Sequence, residues 1–113
     1  MKVKYKDKEI DLHYCHRIYV IFENLMSQED EDLNPNSQTA QTKLVYAALQ
    51  ASLKYHKIDD ILTYDDIENF IDDNGNMVFM AKFNEWFTKQ AEAETELVRK
   101  LTDLPTEEKK LQN

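Results

Sequence analysis

Leu44 to Tyr55, LVYAALQASLKY, constrains the fold more than any other stretch, because wound as a helix it is apolar around most of its circumference. At 100° per residue, Leu44, Val45, Ala48, Ala51, Ser52 and Tyr55 cover one side, and Leu49, Leu53 and Tyr46 continue round the back. Only a strip of Lys43, Gln50, Lys54 and Lys57 stays polar. Such a helix belongs in a core that other elements wrap. With 113 residues the chain is long enough to close one core around it as a single domain. One Gly and two Pro leave few tight turns, which argues against a sandwich or barrel and for long helices.

A single cysteine, Cys15, makes no internal disulfide, and the longest apolar run is IYVIF at 18 to 22, far short of a membrane span. The chain therefore reads as soluble and cytoplasmic, with no membrane partner. Its formal charge of −8 is unevenly spread. Residues 1 to 17 are net +2, whereas residues 58 to 81 hold Asp59, Asp60, Asp65, Asp66, Glu68, Asp72 and Asp73 with no Lys or Arg. An acidic protein repels phosphate backbones, so no direct nucleic-acid binding is expected, while basic partners stay open.

In chain order, KVKYKDKEIDLHY alternates Val3, Tyr5, Ile10, Leu12 and Tyr14 with charges, and the polar break at Asp7 and Lys8 predicts a β-hairpin lying on a helix through Ile10 and Leu12. From Tyr14 the period becomes helical, with Ile18, Ile21, Phe22 and Leu25 in one stripe over 14 to 27. The acidic segment SQEDEDLNPNSQ reads as a mobile loop. Ser37 or Thr39 then caps a core helix over 39 to 57. Ile58 to Leu62 is a connector returning two apolar side chains to the core. Thr63 with Asp66 reads as a variant capping box for a helix over 64 to 74, facing Ile67, Phe70 and Ile71 inward, with Gly75 as its stop.

The last helix is expected over 77 to 103, ending at Pro105 and leaving 105 to 113 as a disordered tail after a domain of 1 to 104. Phe83 and Phe87 belong to its core half. Beyond Glu94 the apolar pattern resumes at Leu97, Val98, Leu101 and Leu104. Two readings stand for these four: a partner-binding edge, or a ridge folded back on the domain's own core. The expected fold is mainly α, four helices and an N-terminal β-hairpin. Its predicted core is Ile18, Phe22, Leu25, Leu44, Ala48, Leu49, Leu53, Ile67, Phe70, Ile71, Phe83 and Phe87.

Signs of chemistry are few. His13, Cys15 and His16 cluster, but no second Cys or His pair completes four zinc ligands, so no metal is expected. Cys15 with His56 as a remote base is a thinner case, since a lone Cys in an apolar stripe is usually inert. The segment DDNGN invites a calcium-loop test, yet placing Gly75 sixth puts Phe70 first and Ala81 twelfth, where an EF-hand requires Asp and Glu. The paired aspartates point about 100° apart on a helix and suit a solvated face better than acid and base. No phosphate loop, nucleophile motif or cofactor fingerprint occurs, so the chain is read as a non-enzyme with no cofactor.

The order of elements resembles the tail assembly chaperones of long-tailed bacteriophages, especially phages and prophages of low-GC Gram-positive hosts. The resemblance rests on KVKYKDKEIDLHY leading into RIYVIFENLM, the central LVYAALQASL, and LTYDDIENFIDD before a long helix containing FNEWF, about residues 1 to 95. It implies a small helical non-enzyme of the infected cell's cytoplasm that binds the tape measure protein, keeps its apolar helices soluble and recruits tail tube subunits during virion assembly. Many members exist in a short and a frameshift-extended form, and this chain fits the short one. The family implies no catalytic residues. A homo-oligomer is compatible with such a role. The alternative is an acidic nucleic-acid-mimicking inhibitor of a DNA-binding or nuclease protein, which the 58 to 81 segment favours.

Overall fold

The computed structural model describes residues 1 to 27 and 38 to 112, with side chains described over 1 to 27 and 39 to 102. The element order is β1 (Lys2–Tyr5), β2 (Lys8–Asp11), α1 (His16–Ser27), α2 (Gln38–Tyr55), α3 (Tyr64–Asp73) and α4 (Met77–Gln112), a mainly α fold with an N-terminal hairpin. The predicted loop between the first two helices and the cap at Ser37 lie outside the described residues, and Thr39 sits within α2.

The hairpin is antiparallel with Val3 opposite Ile10 and Tyr5 opposite Lys8. Its turn is Lys6–Asp7, one residue earlier than the polar break predicts. Lys6 adopts φ +52°, the positive first position of a two-residue hairpin turn. Alternation works as expected: Val3, Tyr5, Ile10 and Leu12 are all buried on one face.

Helix α2 is the core. Every residue from Ala47 to Leu53 is buried, with Val45 and Ala40 before them. The predicted polar strip is corrected at two positions, because Lys43 and Gln50 are buried while Lys54 and Lys57 are exposed. Lys43 is buried along its whole length, and its Nζ donates to the Leu25 carbonyl at 3.5 Å. Gln50 is buried with a hydrogen bond at each end of its amide, as described below. Leu44, by contrast, is only half-buried.

Of the predicted core, Ile18, Ala48, Leu49, Leu53, Ile67, Phe70, Ile71 and Phe83 are buried, and Phe22, Leu25 and Phe87 join Leu44 as half-buried. The physical reason on α1 is that it packs on α2 along one side, so the later turns of its stripe stand at the margin of the core.

Local chemistry sets the ends of α3. Thr63 Oγ1 accepts from the Asp66 N–H at 3.1 Å and Asp66 Oδ2 accepts from the Thr63 N–H at 2.9 Å, the reciprocal box the spacing predicts. At the other end Gly75, at φ +107°, completes a Schellman turn: Asn76 N–H to Ile71 O at 2.8 Å and Gly75 N–H to Asp72 O at 3.2 Å. Helix α2 ends in the same turn without a glycine. Ile58 N–H reaches Leu53 O at 2.8 Å, Lys57 N–H reaches Lys54 O at 3.1 Å, and Lys57 takes φ +61°.

The chain divides into two compact units, Met1–Phe83 and Asn84–Asn113. In the first, the start of α4 buries Phe79, Met80 and Phe83, and Phe79 meets Phe70 edge-on at 5.2 Å. In the second, α4 carries a Lys89–Glu85 pair at 2.8 Å and an Arg99–Glu96 pair at 3.4 Å. The helix runs through Pro105 to Gln112 where the sequence predicts an end. The proline removes the donor for the Leu101 carbonyl, and Leu101 is exposed, so water can take that bond.

Candidate interaction surfaces

Side-chain hydrogen bonds from the hairpin and from α2 converge on the connector between α2 and α3. Gln50 Nε2 donates to the Asp60 carbonyl at 2.9 Å, and the Leu62 N–H donates to Gln50 Oε1 at 3.2 Å. One turn earlier on α2, the Tyr46 hydroxyl donates to the Leu62 carbonyl at 2.7 Å. From the hairpin, the Tyr5 hydroxyl donates to Asp60 Oδ2 at 2.9 Å, with Lys6 Nζ 3.6 Å from the same oxygen. Burial pushes the Tyr5 phenol above its ordinary value, and Asp60 adds to the shift. Burial likewise raises Tyr46.

Between these fixed points stands Ile61, 87% exposed. Leu62 is buried and Ile58 half-buried, so these are the two apolar side chains the connector returns toward the core. Beside Ile61 runs a cleft of about 310 Å³ lined by Ile21, Asn24 and Leu25 of α1, Tyr46, Gln50 and Lys54 of α2, and residues 58 to 61. Tyr64, 48% exposed, continues the apolar surface, its ring 5.7 Å from that of Tyr46.

The predicted acidic face divides by role. Asp60 and Asp66 are held in the hydrogen bonds just described, and the Thr63 backbone N–H holds the Asp66 carboxyl below its usual range. Asp59, Asp65, Glu68, Asp72 and Asp73 are exposed. On α3, Asp65, Glu68 and Asp72 recur at spacings of three and four residues and so share one face.

His13 and His56 serve the fold. His13 stacks on Tyr55 with ring centroids 3.6 Å apart, and its backbone N–H donates to Ser52 Oγ at 2.8 Å. His56 Nε2 lies 2.8 Å from the Asp11 carbonyl. Cys15 is half-buried beside His16, Arg17 and Val20. Among the described residues no three His, Cys, Asp or Glu side chains are grouped to hold a metal ion.

In the second unit, Leu97, Val98 and Leu101 are 57%, 53% and 61% exposed, and Leu104 lies outside the described side chains. Among the described residues no helix is long and apolar enough to cross a membrane. Sequence reasoning pointed to the acidic face and the α4 ridge but missed Ile61, because in DDILT it stands next to Leu62 and nothing in the spacing says which of the two is buried. In comparisons with known proteins, the chain matches no family model, no curated protein and no solved structure.

Proposed function

We propose that this chain is a phage tail assembly chaperone, a non-enzymatic adaptor in the host cytoplasm that binds the tape measure protein and tail tube subunits during tail assembly. One observation of the molecule supports the reading beyond the order of its elements. Leu97, Val98 and Leu101 lie within about 100° of one another on α4 and are each more than half exposed. A cluster of large apolar side chains at helical spacing suits contact with an apolar helix of another protein, and the chain's negative charge keeps such a complex soluble.

Co-expression with the tape measure protein of the same genome tests the proposal. The tape measure helices should be recovered soluble with this chain, and Leu97→Glu with Leu101→Glu should cut recovery about tenfold. Recovery unaffected by the pair of substitutions, or none at all, overturns it. A tail tube gene upstream and a very long tape measure gene downstream are the expected neighbours.

The acidic-mimic reading retains support from the exposed row Asp65, Glu68 and Asp72. Against it, Asp60 and Asp66 are engaged within the fold. Binding to a basic protein that vanishes at high salt favours the mimic, and salt-insensitive binding to an apolar helix favours the chaperone.

A further inference from the structure

We infer that Glu94 selects the partner of the α4 ridge: the helix that docks on Leu97, Val98 and Leu101 carries a Lys or Arg inside its own apolar row, facing the Glu94 carboxylate. The inference rests on the reading of those three side chains as a contact row and adds the chemistry of what they meet. The first argument is position. The residues three, four and seven places from Glu94 on α4 are Phe87, Gln90, Ala91, Leu97, Val98 and Leu101, all within about 60° of it around the helix. Glu94 therefore stands in the middle of that face and not on its border. Phe87, Gln90 and Ala91 are half-buried, whereas Glu94, Leu97, Val98 and Leu101 are exposed, so the carboxylate marks where the uncovered part of the face begins. A helix laid along Leu97 and Leu101 and continued for one more turn passes over it.

The second argument is charge. None of the six neighbours that share the face with Glu94 is basic. Lys89, Arg99 and Lys100 lie about 120° or more around the helix from it. Lys89 and Arg99 are moreover engaged with Glu85 at 2.8 Å and Glu96 at 3.4 Å. A docked helix takes the Glu94 carboxylate out of water, and a buried charge without a counter-charge is strongly disfavoured. A Lys or Arg on the incoming helix removes that penalty while its stem lies along the leucines.

The same arrangement disfavours a second copy of this chain. The face it would present centres on its own Glu94, so two carboxylates would be enclosed in one apolar seam. A wholly apolar partner row leaves Glu94 unmatched, and an acidic one repels it. One carboxylate among leucines thus discriminates between helices that the leucines alone would accept alike.

Fluorescence anisotropy of labelled synthetic helices titrated with the full-length chain tests the inference. The helices share one leucine row and differ only at its central position, which is Lys, Leu or Glu. The Lys helix should bind saturably, and the Leu and Glu helices about tenfold more weakly or worse. Glu94→Lys should invert the order, so that the Glu helix binds best, and Glu94→Gln should remove the preference for Lys. Both variants should keep the melting temperature, because the side chain is exposed. The inference is overturned if Glu94→Lys leaves the order unchanged, if the helices bind alike, or if none binds. Self-association of the unmodified chain in sedimentation, abolished by Leu97→Glu, would give the face to a second copy and likewise overturn it. Equal binding of all the helices that is lost with Leu97→Glu and Leu101→Glu removes the role of Glu94 and leaves the contact row standing. An inverted order together with failed recovery of the tape measure protein upholds this inference and removes the chaperone reading.

Discussion

The side-chain amide of Asn74 closes a two-way hydrogen-bonded ring with the backbone of Lys4. The Lys4 N–H donates to Asn74 Oδ1 and Asn74 Nδ2 donates to the Lys4 carbonyl, each at 2.8 Å. Lys4 faces Glu9 in the ladder and the Leu12 N–H bonds Met1 O, so by alternation the polar groups of Lys4 point off the outer edge of β1. Asn74 thus stands in for a third strand there and ties the end of α3 to the hairpin. It blunts an edge that would otherwise pair with another chain.

Asn74→Ala should cost about 1 to 2 kcal/mol in urea denaturation and release the Lys4 amide to exchange. Asn74→Asp keeps the acceptor but loses the donor, so it should protect the amide while still destabilising.

Gln50→Met should keep the packing volume and lose both connector bonds. The Asp60 carbonyl and the buried Leu62 N–H are then left unmatched, and a loss of about 2 to 3 kcal/mol by chemical denaturation is expected. The exposed surface around Ile61 should become mobile in relaxation measurements.

Lys57 and Gly75 occupy equivalent places in two Schellman turns. Lys57→Gly should therefore stabilise by about 0.5 to 1 kcal/mol. Gly75→Ala should destabilise by about 1 kcal/mol or more through its backbone angle, since an added Cβ would meet only ordinary contacts at 3.7 and 3.8 Å. Thermal melts of the two variants should move in opposite directions.

Thr63→Ala should cost about 1 kcal/mol by removing the cap of α3. The Asp66 carboxyl titrates below its unfolded value, so its charged form contributes stability that is fully present above about pH 4 and is lost as pH falls through the lower folded value. Asp66→Asn should flatten the acid limb of the stability profile, measured by denaturation at successive pH values.

Periodicity made the hairpin face, the central helix and the inward face of α3 legible, because in each the apolar spacing matches the local repeat. Capping chemistry at Thr63, Asp66 and Gly75 was equally local, needing only neighbours within four residues. The candidate surfaces were legible in part. Leu97, Val98 and Leu101 stood out as an apolar row beyond the core pattern, and the acidic row on α3 was plain from composition.

What the sequence by itself determined, then, is the set of elements, the burial of α2 and the acid-rich stretch that follows it. Only the tertiary structure decided that Gln50 is a buried clamp and not a solvent-facing residue, and that Asn74 completes a strand edge. It likewise placed Ile61 outside the core and withdrew Asp60 from the acidic face. The physical reason is common to all of them. Each depends on a polar group finding a backbone or side-chain partner on another element, as Gln50 does 10 and 12 residues away and Asn74 does 70 residues away, or on a neighbour being fixed in that way. Helical or strand spacing carries no information about such pairings.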